Sequence, residues 1–443
     1  MTLGTRIAAV ALACLLAAAG WMLGPAAPGG APAKPPAPPP VEKQPGPNKG
    51  RTGTYECKTS RDGYNYYVCV PKTYSDASPA GLHLFFHGQG SGGSAPNFGQ
   101  WAKYFLEPYN LIGINMQYTD GDNAKDTSGK TEAAIEAIRQ TVADYKIILG
   151  RGAVGSFSGG GLPHEKLFEK FGKFAPGGPS PCPFNHSALY DSNYWADVTG
   201  LPPMSWFIGL GGKEWNMAGL GASQTRKADQ LFGAALKGGC ADIYLKVASD
   251  KGHEISDADL RDSARQFRRS DLAFAPFLYE RDYPEPQAAV IVRLANTLAL
   301  GRAAASADRL LADAKADEKV KAKAEAVKKK IEDRIGAVTA LAKELADADL
   351  VLLTYYGNIF VQQLGPHPRA KDMKDLLAQA KKQPTYAPAL ATCANLWTNS
   401  KSVFQSGRLA AGAAKFLEDA KAKSGENSLA GKMAAEFLLM QEP

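Results

Sequence analysis

The chain has 443 residues, 45% of them hydrophobic and 21% charged, with a formal net charge of +7. At roughly 150 residues per domain this length calls for two or three domains, and the apolar content excludes a chain too polar to build a core. The charge is small and mixed with acidic residues, and no stripe of basic and aromatic residues accompanies it, which excludes a nucleic-acid-binding surface of the usual kind.

Arg6 precedes a largely apolar run from Ile7 to Leu23. Residues 1–24 therefore read as a secretory signal or an uncleaved N-terminal anchor, although the run is short for a spanning helix. Cys14 has too little apolar sequence before it to suggest a lipid anchor. Residues 25–51 are rich in Pro, Ala and Gly and read as an extended spacer. The expected location is outside the cytoplasm: secreted, periplasmic or anchored in the cell envelope. An N-terminal anchor is the one membrane contact implied.

TYECKTSRDGYNYYVCV reads as a β-hairpin with an Asp-Gly turn. A three-residue loop at 62–64 sets Cys57 opposite Cys69, and an oxidising compartment would join them as a disulfide. Cys182 and Cys240 offer a second bridge, with Cys393 left over; spacing alone does not decide the pairing. Buried strands follow at Leu82–Phe86 and Leu111–Gln117. The first runs into His87-Gly88-Gln89-Gly90, where glycines let the backbone approach a substrate. Thr119–Asp126 carries oxygen ligands but lacks the rest of a calcium loop, and reads as a polar loop.

The most informative run is SFSGGG, which follows a strand at Ala153–Phe157. It reads as a sharp strand-to-helix turn with Ser158 at its apex. Such a turn strains the serine backbone and demands small residues two before and two after it, here Ser156 and Gly160. The hydroxyl is then exposed beside the first free N–H groups of a helix. Ser156 is a poorer nucleophile, because Val154 would occupy the crowded position before it.

Helices are expected at Thr131–Asp144 and His164–Phe171, and further strands at Lys173–Pro176, Ser205–Leu210 and Ala241–Ala248. Between the first two of these strands, residues 177–204 read as a long loop of the lid or substrate-wall kind. Tyr190, Tyr194 and Trp195 are its candidate wall residues, and Trp215 follows after the next strand. Glu214 lies in the loop after Ser205–Leu210, and His253 in the loop after Ala241–Ala248. His164 and His186 are not assigned chemistry.

Together the HGQG loop, the small-x-Ser-x-Gly turn and the order serine, acid, histidine resemble the α/β-hydrolase family, in its esterase and polyester-depolymerase-like branch. The resemblance covers about residues 52–280. It implies a mostly parallel eight-stranded sheet flanked by helices, and a Ser158–His253–Glu214 triad. It also implies an oxyanion hole from the N–H groups of Gly159 and of Gln89, or Gly90 in its place, with His87 structural. Glu replaces the commoner Asp, and Asp250, Asp197 and Asp191 stand as alternatives to it. The activity implied is cleavage of a small-molecule or polymeric carboxylic ester, with no metal and no cofactor. A peptidase, an acyltransferase and a non-catalytic envelope binding protein are the other readings of the same pattern.

Residues 284–443 change composition and read as an all-α array. The predicted helices are Gln287–Ala304, Ser306–Leu345, Val351–Gln363, Lys371–Lys381, Tyr386–Asn395 and Ala410 onward. Ile331, Ile335, Val338 and Leu341 recur at helical spacing. The final helix pair looks like the tetratricopeptide type, without a clear repeat, and suggests a surface for a protein partner.

Overall fold

The computed structural model describes residues 48–90, 98–118, 125–172, 182–192, 194, 196, 201, 203–211, 231–233, 242–248, 251–406, 408–425 and 428–440. Strands β1 (Gly53–Lys58), β2 (Tyr64–Val70), β3 (Ala80–Phe86), β4 (Leu111–Tyr118), β5 (Ile147–Phe157), β6 (His186–Tyr190), β7 (Ser205–Gly211) and β8 (Ile243–Ala248) form one sheet in the order β1-β2-β4-β3-β5-β6-β7-β8. β1 and β2 form an antiparallel hairpin, β2 is antiparallel to β4, and every later pairing is parallel. β3, β4, β6 and β7 are buried along their whole length, as strands of a sheet covered on both faces must be. The covering helices beside the sheet are α1 (Thr127–Asp144), α2 (Gly161–Gly172) and α3 (Asp257–Phe274).

Two expectations change here. The hairpin register places Cys57 opposite Tyr66 and Cys69 opposite Thr54. The partner of Cys57 is three positions short of Cys69, and an odd offset turns the two side chains to opposite faces. Cys57 packs in one core and Cys69 against the other; both are free thiols. Cys182 is free as well, and among the described cysteines Cys393 is the one that is disulfide-bonded.

The second change concerns the long loop, part of which is β6. Its His186 ring is buried between two hydroxyls, Ser205 Oγ at 2.7 Å and Ser263 Oγ at 2.8 Å. Polar residues paired in this way sit in a buried strand without exposing a polar face. The expected strand at Lys173–Pro176 lies outside the described residues.

The C-terminal array contains α4 (Pro286–Asn296), α5 (Leu300–Ala312), α6 (Glu318–Ala348), α7 (Leu350–Leu364), α8 (Arg369–Ala380), α9 (Tyr386–Ser406), α10 (Ala413–Ser424) and α11 (Leu429–Leu439). The helix expected over Gln287–Ala304 breaks at Leu298, whose φ is 61°. Ile331, Ile335, Val338 and Leu341 are all buried, as their spacing requires. The array shares one hydrophobic core with the sheet. Buried polar contacts join the two: Tyr356 on α7 donates to Asp242 Oδ2 at 2.7 Å, and Arg269 on α3 grips the same carboxylate at 2.6 and 2.9 Å. α11 closes the open edge of β8. The N–H of Leu245 donates to Met433 Sδ at 3.1 Å, and that of Val247 to Glu436 Oε2 at 2.5 Å. Covering an edge strand in this way removes a site for unwanted pairing. Among the described residues no helix is long and apolar enough to cross a membrane.

Candidate active site

The carboxyl ends of the parallel strands carry the candidate site. β5 ends at Phe157, a single 3₁₀ turn follows at Ser158–Gly160, and α2 begins at Gly161. Ser158 has a φ of 50°, a left-handed conformation that a non-glycine residue adopts at a cost of order 1–3 kcal/mol. The two neighbouring positions explain why the turn is tolerated. A Cβ at Gly160 would lie 2.5 Å from the carbonyl oxygens of Phe86 and His87, so only glycine lets the turn rest on the end of β3. At the other position the Ser156 side chain is buried, and its Oγ is 2.8 Å from His164 Nδ1. His164 Nε2 meets Ser187 Oγ on β6 at 3.2 Å. A small side chain whose hydroxyl has a fixed partner thus sits beneath the turn.

The HGQG loop lies against this serine. A Cβ at Gly88 would meet the Phe157 ring at 2.6 Å and Ser158 Cβ at 3.4 Å. Gln89 and Gly90 are exposed in the turn that follows, Gly90 with a φ of 78°. His87 is buried, with Nδ1 2.7 Å from Gly88 O and its ring against Tyr118. Gly88 thus lies beside Phe157 and Ser158, with residues 89–90 following it in the loop.

All six histidines are described, and five have other duties. His83, His164 and His186 are buried, and desolvation pushes each down to about 3, so they are neutral at ordinary pH. His87 belongs to its loop, and His367 pairs with Glu332 in the helical array. His253 is exposed and has its ring centroid 4.7 Å from that of Phe157, the residue before the serine. Among the described residues no hydrogen bond joins Ser158 to His253. Such contacts commonly tighten only when substrate binds.

Among the described residues, the Asp191 carboxylate lies beside this histidine's loop. Phe157 and Tyr190 are register partners, so the next residues, Ser158 and Asp191, stand side by side at the ends of adjacent strands. Asp191 is fully buried with a φ of 46°. Its Oδ1 accepts the Gly211 N–H, and its Oδ2 accepts the Glu254 N–H at 2.9 Å, one residue beyond His253. Gly211 permits this geometry, since a Cβ there would come within 2.3 Å of Gly252 O in the histidine loop. Burial dominates and holds the Asp191 carboxyl above its usual range, while Lys251, the Gly211 N–H, His253 and the Glu254 N–H pull it partly back down.

Glu214, Trp195 and Trp215 lie outside the described residues, as do Asp197 and Asp250. Tyr190 is not a substrate-wall residue: it sits in β6, buried between Trp101 and Phe207. Tyr194 is half-buried beside Gly161 at the start of α2, next to the serine turn. Reading β6 as loop hid the position of Asp191 at a strand tip. The same sequence reading passed over Lys251 and Asp259. The pattern Ser256-x-x-Asp259, a helix-capping box, is the signal that marks Asp259. Among the described residues no group of three or more His, Cys, Asp or Glu is placed to hold a metal ion.

No family model matches the chain, and no curated protein does. Solved structures do. A thermostable esterase matches 44% of this chain and 54% of its own, at 17% identity and a TM-score of 0.33. The match thus spans about half the length of that esterase. A thermophilic esterase of the planctomycete Thermogutta terrifontis, bound to butyrate, matches 47% of this chain and 87% of its own, at 14% identity and a TM-score of 0.32. A candidate dipeptidyl aminopeptidase IV from Bacteroides ovatus matches 49% and 35%, at 10% identity and a TM-score of 0.34. Similarity at these scores carries no argument about activity, and the fold assignment rests on the sheet itself. With this strand order, and a serine at the turn after the fifth strand, the chain has an α/β-hydrolase fold.

Proposed function

We propose that the chain is a serine hydrolase of carboxylic esters, small or polymeric, with Ser158 as nucleophile, His253 as general base and Asp191 as the acid. The observation that carries this reading is the Asp191 carboxylate. It is buried beside the serine turn and bonded to the histidine loop at Glu254 N–H, 2.9 Å away. The strained Ser158 backbone supports it independently. Asp191 takes the role for which Glu214 is the sequence's first candidate.

In the proposed reaction Ser158 Oγ attacks the ester carbonyl carbon as His253 takes the hydroxyl proton. Asp191 fixes the ring orientation and stabilises the imidazolium. The tetrahedral oxyanion would rest on the N–H groups of Gly159 and of Gln89 or Gly90. Each such donor is typically worth about 2.7–4 kcal/mol. Collapse breaks the ester C–O bond, and His253 returns the proton to the leaving alkoxide. Water then attacks the acyl-serine, giving a proton to His253, and the carboxylic acid leaves as Ser158 is reprotonated. Tyr194 is the proposed wall residue near the serine. The apolar segment 7–23 and the Pro-rich spacer support an exported location, which fractionation of expressing cells would check.

The test is labelling with a fluorophosphonate probe, followed by turnover of p-nitrophenyl butyrate against a peptide p-nitroanilide. Labelling lost in Ser158→Ala, with ester turnover exceeding amide turnover, is expected. Folded wild-type protein that neither labels nor turns over either substrate overturns the reading in favour of a binding module.

A further inference from the structure

A buried ammonium group stands beside the proposed acid and has no part in the mechanism above. Lys251 Nζ lies 2.8 Å from Asp259 Oδ2 and 3.5 Å from Asp191 Oδ2, and its side chain is only 5% exposed. Asp259, in the first turn of α3, also accepts the Ser256 N–H at 3.0 Å. On its other oxygen it faces Lys246 of β8 at 3.5 Å, and Lys246 is held in turn by Asp262 at 2.9 Å. The charged and titratable groups described around Lys251 include Asp191, Asp259, Lys246 with Asp262 behind it, His253 and Glu254 on the same loop, and Tyr190 and Tyr244 near Asp259.

Two carboxylates share this one buried ammonium, but unequally. The shorter contact is to Asp259, which is also held in the capping box of α3 with Ser256. Burial works against the Asp259 carboxylate, yet the Lys251 hydrogen bond and charge and the Ser256 contacts outweigh it and hold it below the usual range. Asp259 thus anchors the ammonium at a distance from Asp191 that permits charge stabilisation without a direct hydrogen bond. Each Asp191 oxygen accepts one backbone N–H and keeps a further lone pair.

We propose that Lys251 is a positioning residue for the reaction, its anchored ammonium keeping Asp191 ionised and available to His253. The inference rests on the assignment of Asp191 as the acid. It goes beyond that assignment by giving the site a fixed positive charge that sets its working pH. Without the ammonium Asp191 holds a proton more readily, and a protonated Asp191 no longer supports the base.

The experiment measures the rate constant for fluorophosphonate labelling of Ser158 in the full chain, across the range from about pH 5 to about pH 9. In Lys251→Met the acid limb is expected to move up by about one pH unit, a loss of about tenfold at low pH that recovers as pH rises. Lys251→Arg restores the limb. An equal loss at every pH, or an arginine variant that behaves like the methionine one, overturns the proposal in favour of a purely structural lysine. If Lys251→Met does not fold, Asp259→Asn decides. It leaves the ammonium to Asp191 alone, so the limb stays or moves down, and a limb that moves up refutes the idea. Wild-type protein that never labels refutes the hydrolase reading itself. A labelled wild type whose limb is unchanged in Lys251→Met refutes only this inference.

Discussion

Replacing Asp191 by Asn separates the acid's chemistry from its structural duty. The carboxylate is fully buried and accepts two backbone N–H groups, from Gly211 and Glu254. An asparagine offers one oxygen and one NH2, so one of those N–H groups must face another donor, at a cost of about 1–3 kcal/mol. A neutral amide is cheaper to bury than a carboxylate, which offsets part of that cost. Lys251 is not stranded, because Asp259 remains 2.8 Å away. The net loss of stability is about 1–2 kcal/mol, a fall in Tm of about 1–3 °C for a unit of this size. The catalytic loss is of another order. An amide in place of the acid favours the wrong imidazole tautomer and no longer stabilises the imidazolium, which costs about 10⁴ in kcat where it has been measured in triads, or about 5.5 kcal/mol. Stability of about 5–15 kcal/mol leaves Asp191→Asn almost wholly folded, so unfolding cannot imitate that loss. The assay is kcat/KM for p-nitrophenyl butyrate beside a thermal melt, with Glu214→Gln and Asp250→Asn in parallel. Asp191→Asn retaining more than about a tenth of wild-type kcat/KM while Glu214→Gln collapses would refute the assignment.

Gly160→Ala should lower kcat/KM by at least about 10², because its Cβ meets two backbone carbonyls of the β3 end and must displace the loop that carries Gln89. Gly336→Ala in α6, where a Cβ meets nothing within 4 Å, is the control, and equal effects in the two variants would dismiss the close approach as the cause. Glu436→Gln tests the latch between α11 and β8. Burial pushes the Glu436 carboxyl up to about 7, against about 4.3 in the unfolded chain. The folded state therefore binds this proton more tightly. The stability it confers is full below about pH 4.3 and lost as pH rises to about 7, on the order of 3 kcal/mol. Glu436→Gln should raise Tm relative to wild type at about pH 8 and lose that advantage near about pH 4, and a difference independent of pH would count against it.

What was legible in the sequence was whatever a local rule dictates. The Ser158 turn is one case, since a strained residue between small neighbours is specified within five positions. The buried stripe of α6 is another, because a helix repeats its inward face at fixed spacing. Strand β6 was not legible. Both of its faces are buried, so it shows no alternation. Its histidine and serine look polar until Ser205 and Ser263 supply partners for His186 and His164 supplies one for Ser187. The hairpin register shows the same limit at smaller scale, since moving the turn slightly changed which face Cys57 and Cys69 occupy. Once β6 is in place, the proposed acid is seen to stand beside the serine. Pairing of Phe157 with Tyr190 brings residues 158 and 191 to neighbouring strand tips, and Gly211 opens the path to residues 252–254. A triad acid is thus a property of strand register as much as of residue type. A carboxylate in a promising loop remains only a candidate until the sheet fixes which strand ends beside the serine.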